Sequence, residues 1–424
     1  MVSLFNFYFL FNLFVSNYRV DLFRNSSLDT IALQSLGTNG PFVVSDFLKK
    51  NCIEPLNESF RSGLVQEIDP AKNIFVKVLL EEIDIKDKRD WKISSENGIV
   101  IRALENYNQK KIASDISLYI KRNSIFINSK KILHESIIID PINEIITIND
   151  QQYHGSLHLI KHKNSYLLIN KVKLEEYIFS VLKTESWPGW PLEVNKVLAI
   201  ACRSYAVAKI LEAKKANLLY HIKPTNYHQT YTGIHFNEIL RQATLETSGI
   251  IMSHNKKPIL AMFDCCCGGI IPAHTKRINH SNTPYLARNY PCNFCKNCKI
   301  FNWKFNISEK ELIDILRKEI KYFKNLNDIK IHRDKAGIVE KILFKDGRKV
   351  HSVTGRKFYS LFKEIKSFVF DIKREKNNFE IIGKGYGHHI GLCQWGARQM
   401  TDEGWNYRNI LKFYYPNIKF VKLK

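Results

Sequence analysis

The sequence predicts an α+β protein, in which a β-rich N-terminal part precedes a mixed α/β domain built around a long buried helix. Two observations lead to this prediction. Short β-branched runs separated by turn residues fill the chain from about residue 60 to 176, and from Leu174 onward apolar residues recur at helical spacing. We therefore expect a signal peptide or N-terminal anchor at 1–25, a β-rich region at 26–170 and the α/β domain at 171–424.

The β-rich region is predicted from runs of Ile, Val and Leu that alternate with polar residues. Alternation at a period of two is typical of strands with one buried face. The runs span Ile74 to Leu80, Gly98 to Leu104, Ile116 to Ile120, Ser124 to Ile127, Ile137 to Ile139, Ile145 to Ile148, Leu157 to Ile160 and Tyr166 to Ile169.

The long helix is predicted after Pro191, a residue that suits the first helical position. Its apolar residues occur nearly all round the helix, which is typical of a buried one. Lys196 and Arg203 are seven residues apart, so they project within about 20° of each other. Two aligned cations on a buried helix need an anionic partner or a cleft, and Glu185 is the nearest candidate. The alternative is that both side chains extend to solvent.

Glu185 lies in the stretch Thr184-Glu-Ser-Trp-Pro-Gly-Trp-Pro191, directly before that helix. One carboxylate amid two tryptophans is typical of a sugar-binding cleft, in which burial beside Trp187 or Trp190 would raise its pKa. The alternative is an incidental surface acid beside two ordinary core residues.

A second dense segment runs from Gly383 to Ala397 and contains five glycines, two histidines, a glutamine and a tryptophan. Glycines this close together suit tight turns and close backbone approach, as in loops that line a binding site. The spacing does not match a dinucleotide-binding fingerprint.

Charge and the N-terminus suggest where the protein acts. The net charge of +23 favours a polyanionic partner, although many of its lysines are scattered as on an ordinary solvated face. No nucleic-acid recognition motif accompanies that charge, so we expect no nucleic acid as partner. The apolar run over residues 1–15 is typical of a signal peptide or anchor, with a buried strand as the alternative. We expect an exported protein of the periplasm or cell envelope.

Most of the nine cysteines fall into two clusters. Cys265, Cys266 and Cys267 are contiguous, and Cys292, Cys295 and Cys298 form a C-x-x-C-x-x-C pattern. Cysteines at a spacing of three pair poorly with each other and suit a metal site. The candidate zinc ligands are Cys266, Cys267, His274, Cys292, Cys295 and Cys298. A disulfide that links the two clusters is the alternative in an oxidising compartment.

The chain from about residue 174 to 417 resembles the stage II sporulation protein D family of peptidoglycan lytic transglycosylases, which includes the amidase enhancers. The matching segments are Leu174 to Glu185, Trp190 to Lys196, Ala199 to Ala206, Gln229-Thr-Tyr-Thr-Gly233, Cys267-Gly-Gly269, Pro284-Tyr-Leu286, Gly383 to Ala397, Ile410-Leu411 and Tyr414-Tyr-Pro416. Departures from the pattern are Ser186 for methionine, Leu198 for glutamine, Asp264 for histidine and Cys393 for serine.

The resemblance implies that Glu185 is the catalytic residue. It also implies a set of substrate-binding or supporting residues, namely Lys196, Arg203, Tyr231, His388 and Gln394. Zinc in the cysteine region is plausible on the same basis, in a structural role that the chemistry does not require.

The implied reaction cleaves the β-1,4 bond between MurNAc and GlcNAc in peptide-stripped glycan strands. A lytic transglycosylase needs one carboxylate, whereas hydrolases generally use two. Glu193 is the one nearby second acid, and it is better interpreted as a charge that favours the helix dipole. The alternative function is a non-catalytic amidase enhancer or glycan-binding module, with an N-acetylmuramoyl-L-alanine amidase as partner.

Overall fold

The structure, a computed structural model, describes residues 74–104, 109–112 and 114–423. These residues divide into two compact units, 74–261 with 418–423 and 262–417. Both units contain strands and helices, so the predicted α+β class is confirmed. The signal or anchor predicted at 1–25 lies outside the described residues. None of the described helices is both long and apolar enough to cross a membrane.

The first unit begins with two six-stranded antiparallel sheets. In spatial order the first sheet contains β1 (Phe75–Asp84), β12 (Ser165–Lys173), β11 (Ser156–His162), β8 (Ile137–Pro141), β3 (Ile99–Ala103) and β4 (Gln109–Ile112). The second contains β10 (Gln151–His154), β9 (Ile145–Ile148), β2 (Arg89–Ser94), β5 (Asp115–Lys121), β6 (Ser124–Ile127) and β7 (Lys130–Lys131). The longest pairing joins β1 to β12, with Phe75 opposite Lys173 and Asp84 opposite Ser165.

The two sheets share one hydrophobic core because alternate residues of their strands point inward. In β5, for example, Ile116, Leu118 and Ile120 are buried, whereas the residues between them are not. Trp91 of the second sheet and Leu159 of the first belong to the same cluster. The alternation seen in the sequence therefore reflects a two-layer packing of sheets.

Three helices follow the sheets. They are α1 (Leu174–Glu185), α2 (Leu192–Lys215) and α3 (Glu238–Glu246), and α2 packs against α1, α3 and β13. A small antiparallel sheet completes the unit, with β13 (Ile250–His254) between β14 (Lys257–Pro258) and β23 (Lys419–Lys422). Helix α2 starts after Pro191 and is buried over most of its surface, as its sequence pattern indicates.

Arg203 of α2 is fully buried and joins the elements of this helical layer. Its guanidinium forms a bidentate pair with Glu175 of α1, through Nε to Oε1 at 2.9 Å and Nη2 to Oε2 at 2.7 Å. It also donates to the carbonyl oxygens of Thr244 at 3.4 Å and Ile250 at 3.2 Å. Arg203 therefore connects α1, α2, the end of α3 and β13.

The second unit contains eight further strands and four helices among its described residues. Its strands are β15 (Phe263–Asp264), β16 (Asn302–Ser308), β17 (Asp328–Arg333), β18 (Val339–Asp346), β19 (Lys349–Thr354), β20 (Val369–Glu375), β21 (Asn378–Lys384) and β22 (Leu392–Cys393). Its helices are α4 (Glu309–Arg317), α5 (Gly355–Leu361), α6 (Gln394–Asp402) and α7 (Tyr407–Tyr414).

Two three-stranded sheets in this unit, β16-β21-β20 and β17-β18-β19, share an aromatic-rich core with α4 and α5. The rings of Phe358 and Phe370 stack at a centroid distance of 5.7 Å within it. A separate parallel pair of short strands, β15 and β22, brings Phe263 opposite Leu392. That pairing joins the cysteine triplet to the glycine-rich segment.

Replacing Arg203 with methionine should lower the free energy of unfolding by about 3 kcal/mol, because it removes the hydrogen bonds of a fully buried guanidinium and leaves the partly buried Glu175 without its partner. Arg89→Met is the matched control, since Arg89 is 49% exposed and its pair with Glu81 is on the surface. That control should change stability by less than about 1 kcal/mol. Urea unfolding measures both changes, and equal losses would contradict the structural role of Arg203.

Candidate functional site

Glu185 is the last residue of α1. The helix stops there because Ser186 has an extended backbone, with φ −101° and ψ 155°, and a Pro-Gly turn follows. The carboxylate Oε1 of Glu185 accepts a hydrogen bond of 3.0 Å from the backbone N–H of Thr230. A helix end and a loop therefore hold the carboxylate between them.

The segment 229–231 is held against α1 by hydrogen bonds on both sides of Thr230. The hydroxyl of Thr184 donates to the carbonyl oxygen of Thr230 at 2.7 Å. Gln229 accepts from the hydroxyl of Tyr177 at 3.0 Å and donates to the carbonyl oxygen of Cys202 at 3.4 Å. The N–H of Thr230 is therefore fixed in place before any substrate binds.

Burial raises the pKa of Glu185 to about 7, and the hydrogen bond from Thr230 opposes that rise. The hydroxyls of Tyr177 and Tyr205 and the thiol of Cys202 lie near enough for the charge of Glu185 to raise their pKa values, after burial itself. All three groups are uncharged at neutral pH. Three neutral side chains thus lie near Glu185, and burial among such groups favours the protonated form of a carboxyl.

The expectation that Glu185 is the anionic partner of Lys196 and Arg203 is wrong. Arg203 pairs with Glu175, and the ammonium group of Lys196 lies 2.6 Å from Glu246 and 3.3 Å from Glu193. The reason lies in the geometry of α2. Tyr205, which lies near enough for the charge of Glu185 to act on it, is nine residues after Lys196. That is about two and a half turns, so the two project from opposite sides of α2. The side chains nearest Glu185 come from the Tyr205 side.

Tyr231 is buried, and its hydroxyl donates to Asn170 at 2.6 Å. Its ring stacks on Tyr177 with a centroid distance of 5.4 Å. Tyr231 therefore anchors the segment that carries Thr230. In the stretch after Glu185, Trp190 is a buried core residue, whereas Trp187 is partly exposed and stacks on it at 6.2 Å.

His388 and Gln394 lie in the second unit, within the glycine-rich segment. The Nδ1 of His388 accepts the N–H of Ile390 at 3.1 Å, and Gln394 is buried as the first residue of α6. The next histidine, His389, is fully buried between the N–H of Phe368 and the carbonyl oxygen of Cys267. These contacts stabilise the loop.

Four thiols of the second unit converge. The Sγ atoms of Cys267, Cys292, Cys295 and Cys393 all lie within 4.8 Å of one another, and all four residues are buried. Cys393 was missed by sequence reasoning. The family usually has a serine at this position, so the cysteine adds a thiol, and this departure is the signal that could have identified the fourth member. Three other candidates, Cys266, Cys298 and His274, are outside this group, although the Sγ atoms of Cys266 and Cys298 are 3.7 Å apart.

Polar and cationic groups surround the four thiols. The backbone N–H groups of Cys267 and Gly396 both donate to Sγ of Cys393 at 3.3 Å. Gly396 must be a glycine, because a Cβ there would lie 2.0 Å from the hydroxyl of Tyr414 and 2.9 Å from Sγ of Cys292. Burial lowers the pKa of Arg288, but the charges of Cys267 and Cys292 outweigh it and raise the pKa overall. The thiols differ from one another, because hydrogen bonds from Cys266 and Cys267 lower the pKa of Cys295, whereas burial raises the pKa of Cys393.

Comparison with known proteins bears on the family of the chain. A family model described as stage II sporulation protein matches residues 162–254, the part that contains α1, α2 and the segment 229–231. An uncharacterized protein of Brachyspira hyodysenteriae is 31% identical over 340 residues, which are 78% of this chain and 86% of that protein.

Two Bacillus subtilis proteins are also similar to this chain. The amidase enhancer is 25% identical over 289 residues, covering 56% of this chain and 39% of the enhancer. The stage II sporulation protein D is 23% identical over 268 residues, covering 58% of this chain and 74% of that protein.

The raised pKa of Glu185 predicts a pH-dependent stability. Below pH 4.5 the carboxyl is protonated in both the folded and unfolded states, so its shifted pKa has no effect. As the pH rises from 4.5 to about 7 the unfolded state loses the proton more readily, and folding becomes less favourable. At pH 8, Glu185→Gln should therefore be more stable than the wild type by up to about 3 kcal/mol, and this gain should vanish at pH 4. Urea unfolding at both pH values measures it, and a gain of equal size at both would refute the shifted pKa.

Proposed function

The chain belongs to the stage II sporulation protein D family, and from this premise we propose that it is a peptidoglycan lytic transglycosylase with Glu185 as both general acid and general base. The observation that carries the proposal is the Glu185 carboxyl at the end of α1, which the N–H of Thr230 holds at 3.0 Å and whose pKa burial raises to about 7. A carboxyl with this pKa is present in both protonation states at neutral pH. It is therefore suited to donate a proton in one step and accept one in the next.

In the proposed reaction the protonated Glu185 donates its proton to the glycosidic oxygen as the bond from C1 of the muramic acid breaks. The C6 hydroxyl of the same sugar then attacks C1, and the carboxylate of Glu185 takes the proton of that hydroxyl. The products are a 1,6-anhydromuramic end and a free GlcNAc hydroxyl. No water is consumed, and Glu185 ends the cycle protonated.

A mechanism with one carboxylate agrees with the other acids around the helices. Glu193 and Glu246 bind the ammonium group of Lys196, and Glu175 binds Arg203. Burial is the first cause of the raised pKa of Glu185, and the hydrogen bond from Thr230 opposes it. The proposed reaction gives these paired acids no catalytic role and uses the one carboxyl that a lytic transglycosylase needs.

The proposed substrate is a glycan strand from which the stem peptides have been removed. Such strands keep the lactyl carboxylate of each muramic acid, so the net charge of +23 would attract them. An N-acetylmuramoyl-L-alanine amidase is the class of enzyme that supplies them. Peptidoglycan lies outside the cytoplasmic membrane, so the proposed activity also requires export to the cell envelope.

A second candidate function is a non-catalytic module that binds glycan and stimulates an amidase. The observation in its favour is the similarity to the amidase enhancer of Bacillus subtilis. This function needs no titrating carboxyl, whereas the transglycosylase depends on one. The activity of Glu185 variants on glycan strands therefore distinguishes the two functions.

We also propose a structural zinc ion held by Cys267, Cys292, Cys295 and Cys393. A tetrahedral site with Zn–S bonds of about 2.3 Å places its sulfur atoms about 3.8 Å apart. Sγ of Cys295 lies 3.8 Å from Sγ of Cys267 and 3.9 Å from Sγ of Cys292, which fits such a site. Four protein ligands leave no position for substrate, so the ion would stabilise the fold and take no part in the reaction.

Glu185→Gln should reduce the release of 1,6-anhydromuramic products by roughly 10² to 10⁴-fold, because glutamine keeps the shape of the side chain but has no proton to transfer. Mass spectrometry of peptide-free glycan strands after incubation measures this. Glu193→Gln is the control for a second acid and should stay within about three-fold of the wild type. Wild-type turnover by the Glu185 variant, with unchanged products, would leave the amidase-enhancer function in place of the enzyme.

The purified protein should contain one zinc ion per chain, and Cys393→Ser should lose most of it. Removal of the ion by a chelator should lower the melting temperature by at least about 5 °C, because metal binding stabilises the folded state. Cys265→Ser is the control, since Cys265 lies outside the four-thiol group. Metal analysis and thiol titration distinguish a zinc site from a disulfide. Protein without zinc and with oxidised thiols would establish the disulfide instead.

A further inference from the structure

An aromatic group lies on the segment that leads to Thr230. Tyr227 is 62% exposed, and its ring packs on His228 with a centroid distance of 4.9 Å. His228 in turn packs on Tyr205 of α2 at 6.3 Å. The three rings form a continuous group that is exposed at the Tyr227 end.

This aromatic group adjoins Glu185. Tyr227 is three residues before Thr230, the residue that donates to the Glu185 carboxylate at 3.0 Å, so their Cα atoms are at most about 11 Å apart. At the other end, Gln229 hydrogen-bonds the carbonyl oxygen of Cys202, which precedes Tyr205 by about one helical turn. The group therefore lies within one or two sugar lengths of the carboxylate.

His228 is held in one tautomer. Its Nδ1 accepts the backbone N–H of Lys223 at 2.9 Å, so the ring proton is on Nε2. Burial, with the nearby charge of Lys209, lowers the pKa of His228 to about 4, and the imidazole is neutral at pH 7. No hydrogen bond between residues that the structure describes uses the Nε2–H group. This donor is available to a ligand.

We propose that Tyr227 and His228 form a sugar-binding subsite for an N-acetylated pyranose of the glycan strand, next to the bond that Glu185 cleaves. The ring of Tyr227 stacks on the apolar C–H face of the sugar, and Nε2–H of His228 donates to one of its oxygen atoms. Tyr205 supports both from behind. This inference rests on the proposed function, since it takes the glycan strand as the ligand.

The chemistry of the surrounding residues suits this ligand. An exposed aromatic ring with a neutral donor beside it binds an uncharged ring that has one apolar face and polar edges. Two lysines lie close by, because the charges of both Lys209 and Lys223 act on His228. Lys209 also covers the ring of Tyr205, with its ammonium group 5.8 Å from the ring centroid. Glu212 pairs with Lys209 at 2.8 Å and offsets its charge, so the surroundings of His228 suit a neutral sugar ring.

The test measures the affinity of the protein for peptide-free glycan strands in a Glu185→Gln background, so that the strands stay intact. Tyr227→Ala should weaken binding by about ten-fold, because it removes an exposed aromatic contact. Tyr227→Phe should stay within about two-fold, since the stacking ring remains. Tyr322→Ala is the matched control, an 88% exposed tyrosine of the second unit, and should bind as the parent does. Both positions are exposed, so the three variants should fold.

The outcomes separate the subsite from the proposed reaction. Equal affinity for the Tyr227→Ala protein and its parent, or an equal loss from Tyr322→Ala, overturns the subsite even if the wild type releases anhydromuramic products. A specific loss from Tyr227→Ala supports the subsite even if the wild type releases none, in which case the protein binds glycan without cleaving it. Failure of the parent to bind glycan strands overturns both.

Discussion

The buried pair of Arg203 and Glu175 determines where the candidate site is built. Glu175 lies in the first turn of α1 and Glu185 is the last residue of the same helix, so fixing one end of α1 on α2 also fixes the other. The Oε1 of Glu175 additionally accepts the N–H of Gly249 at 3.1 Å, which ties the pair to the entry of β13. Loss of Arg203 would leave the partly buried Glu175 and the carbonyl oxygens of Thr244 and Ile250 without their donor, which makes this arrangement preferred over others.

The same arrangement pairs the two cations of α2 with acids other than Glu185. Arg203 and Lys196 bind Glu175, Glu193 and Glu246 on one side of α2, while Tyr205 projects from the opposite side of the helix. A lysine or arginine in contact with Glu185 would stabilise its carboxylate and lower its pKa. Directing Lys196 and Arg203 to other partners is therefore compatible with the raised pKa that burial gives Glu185.

In the second unit, converging cysteine side chains connect distant segments of the chain, as the pair of Arg203 and Glu175 does in the first unit. Its four converging thiols come from the cysteine triplet, the C-x-x-C-x-x-C segment and the glycine-rich segment, which lie far apart in the chain. The backbone around them is largely irregular, so few ladder hydrogen bonds hold it. Under the proposed zinc, the metal would hold these three segments together.

The sequence by itself determined most of the local structure. Alternating Ile and Leu predicted the strands, Pro191 and an all-round apolar pattern predicted α2, and family motifs singled out Glu185, because these signals depend on residues close together in the chain. Only the tertiary structure decided which side chains form ion pairs and hydrogen bonds with each other. Glu175 lies 28 residues from Arg203, and Thr230 lies 45 residues from Glu185, so no local pattern links them. Cys393 and His228 became candidates for the same reason, since convergence of side chains is a property of packing and not of spacing.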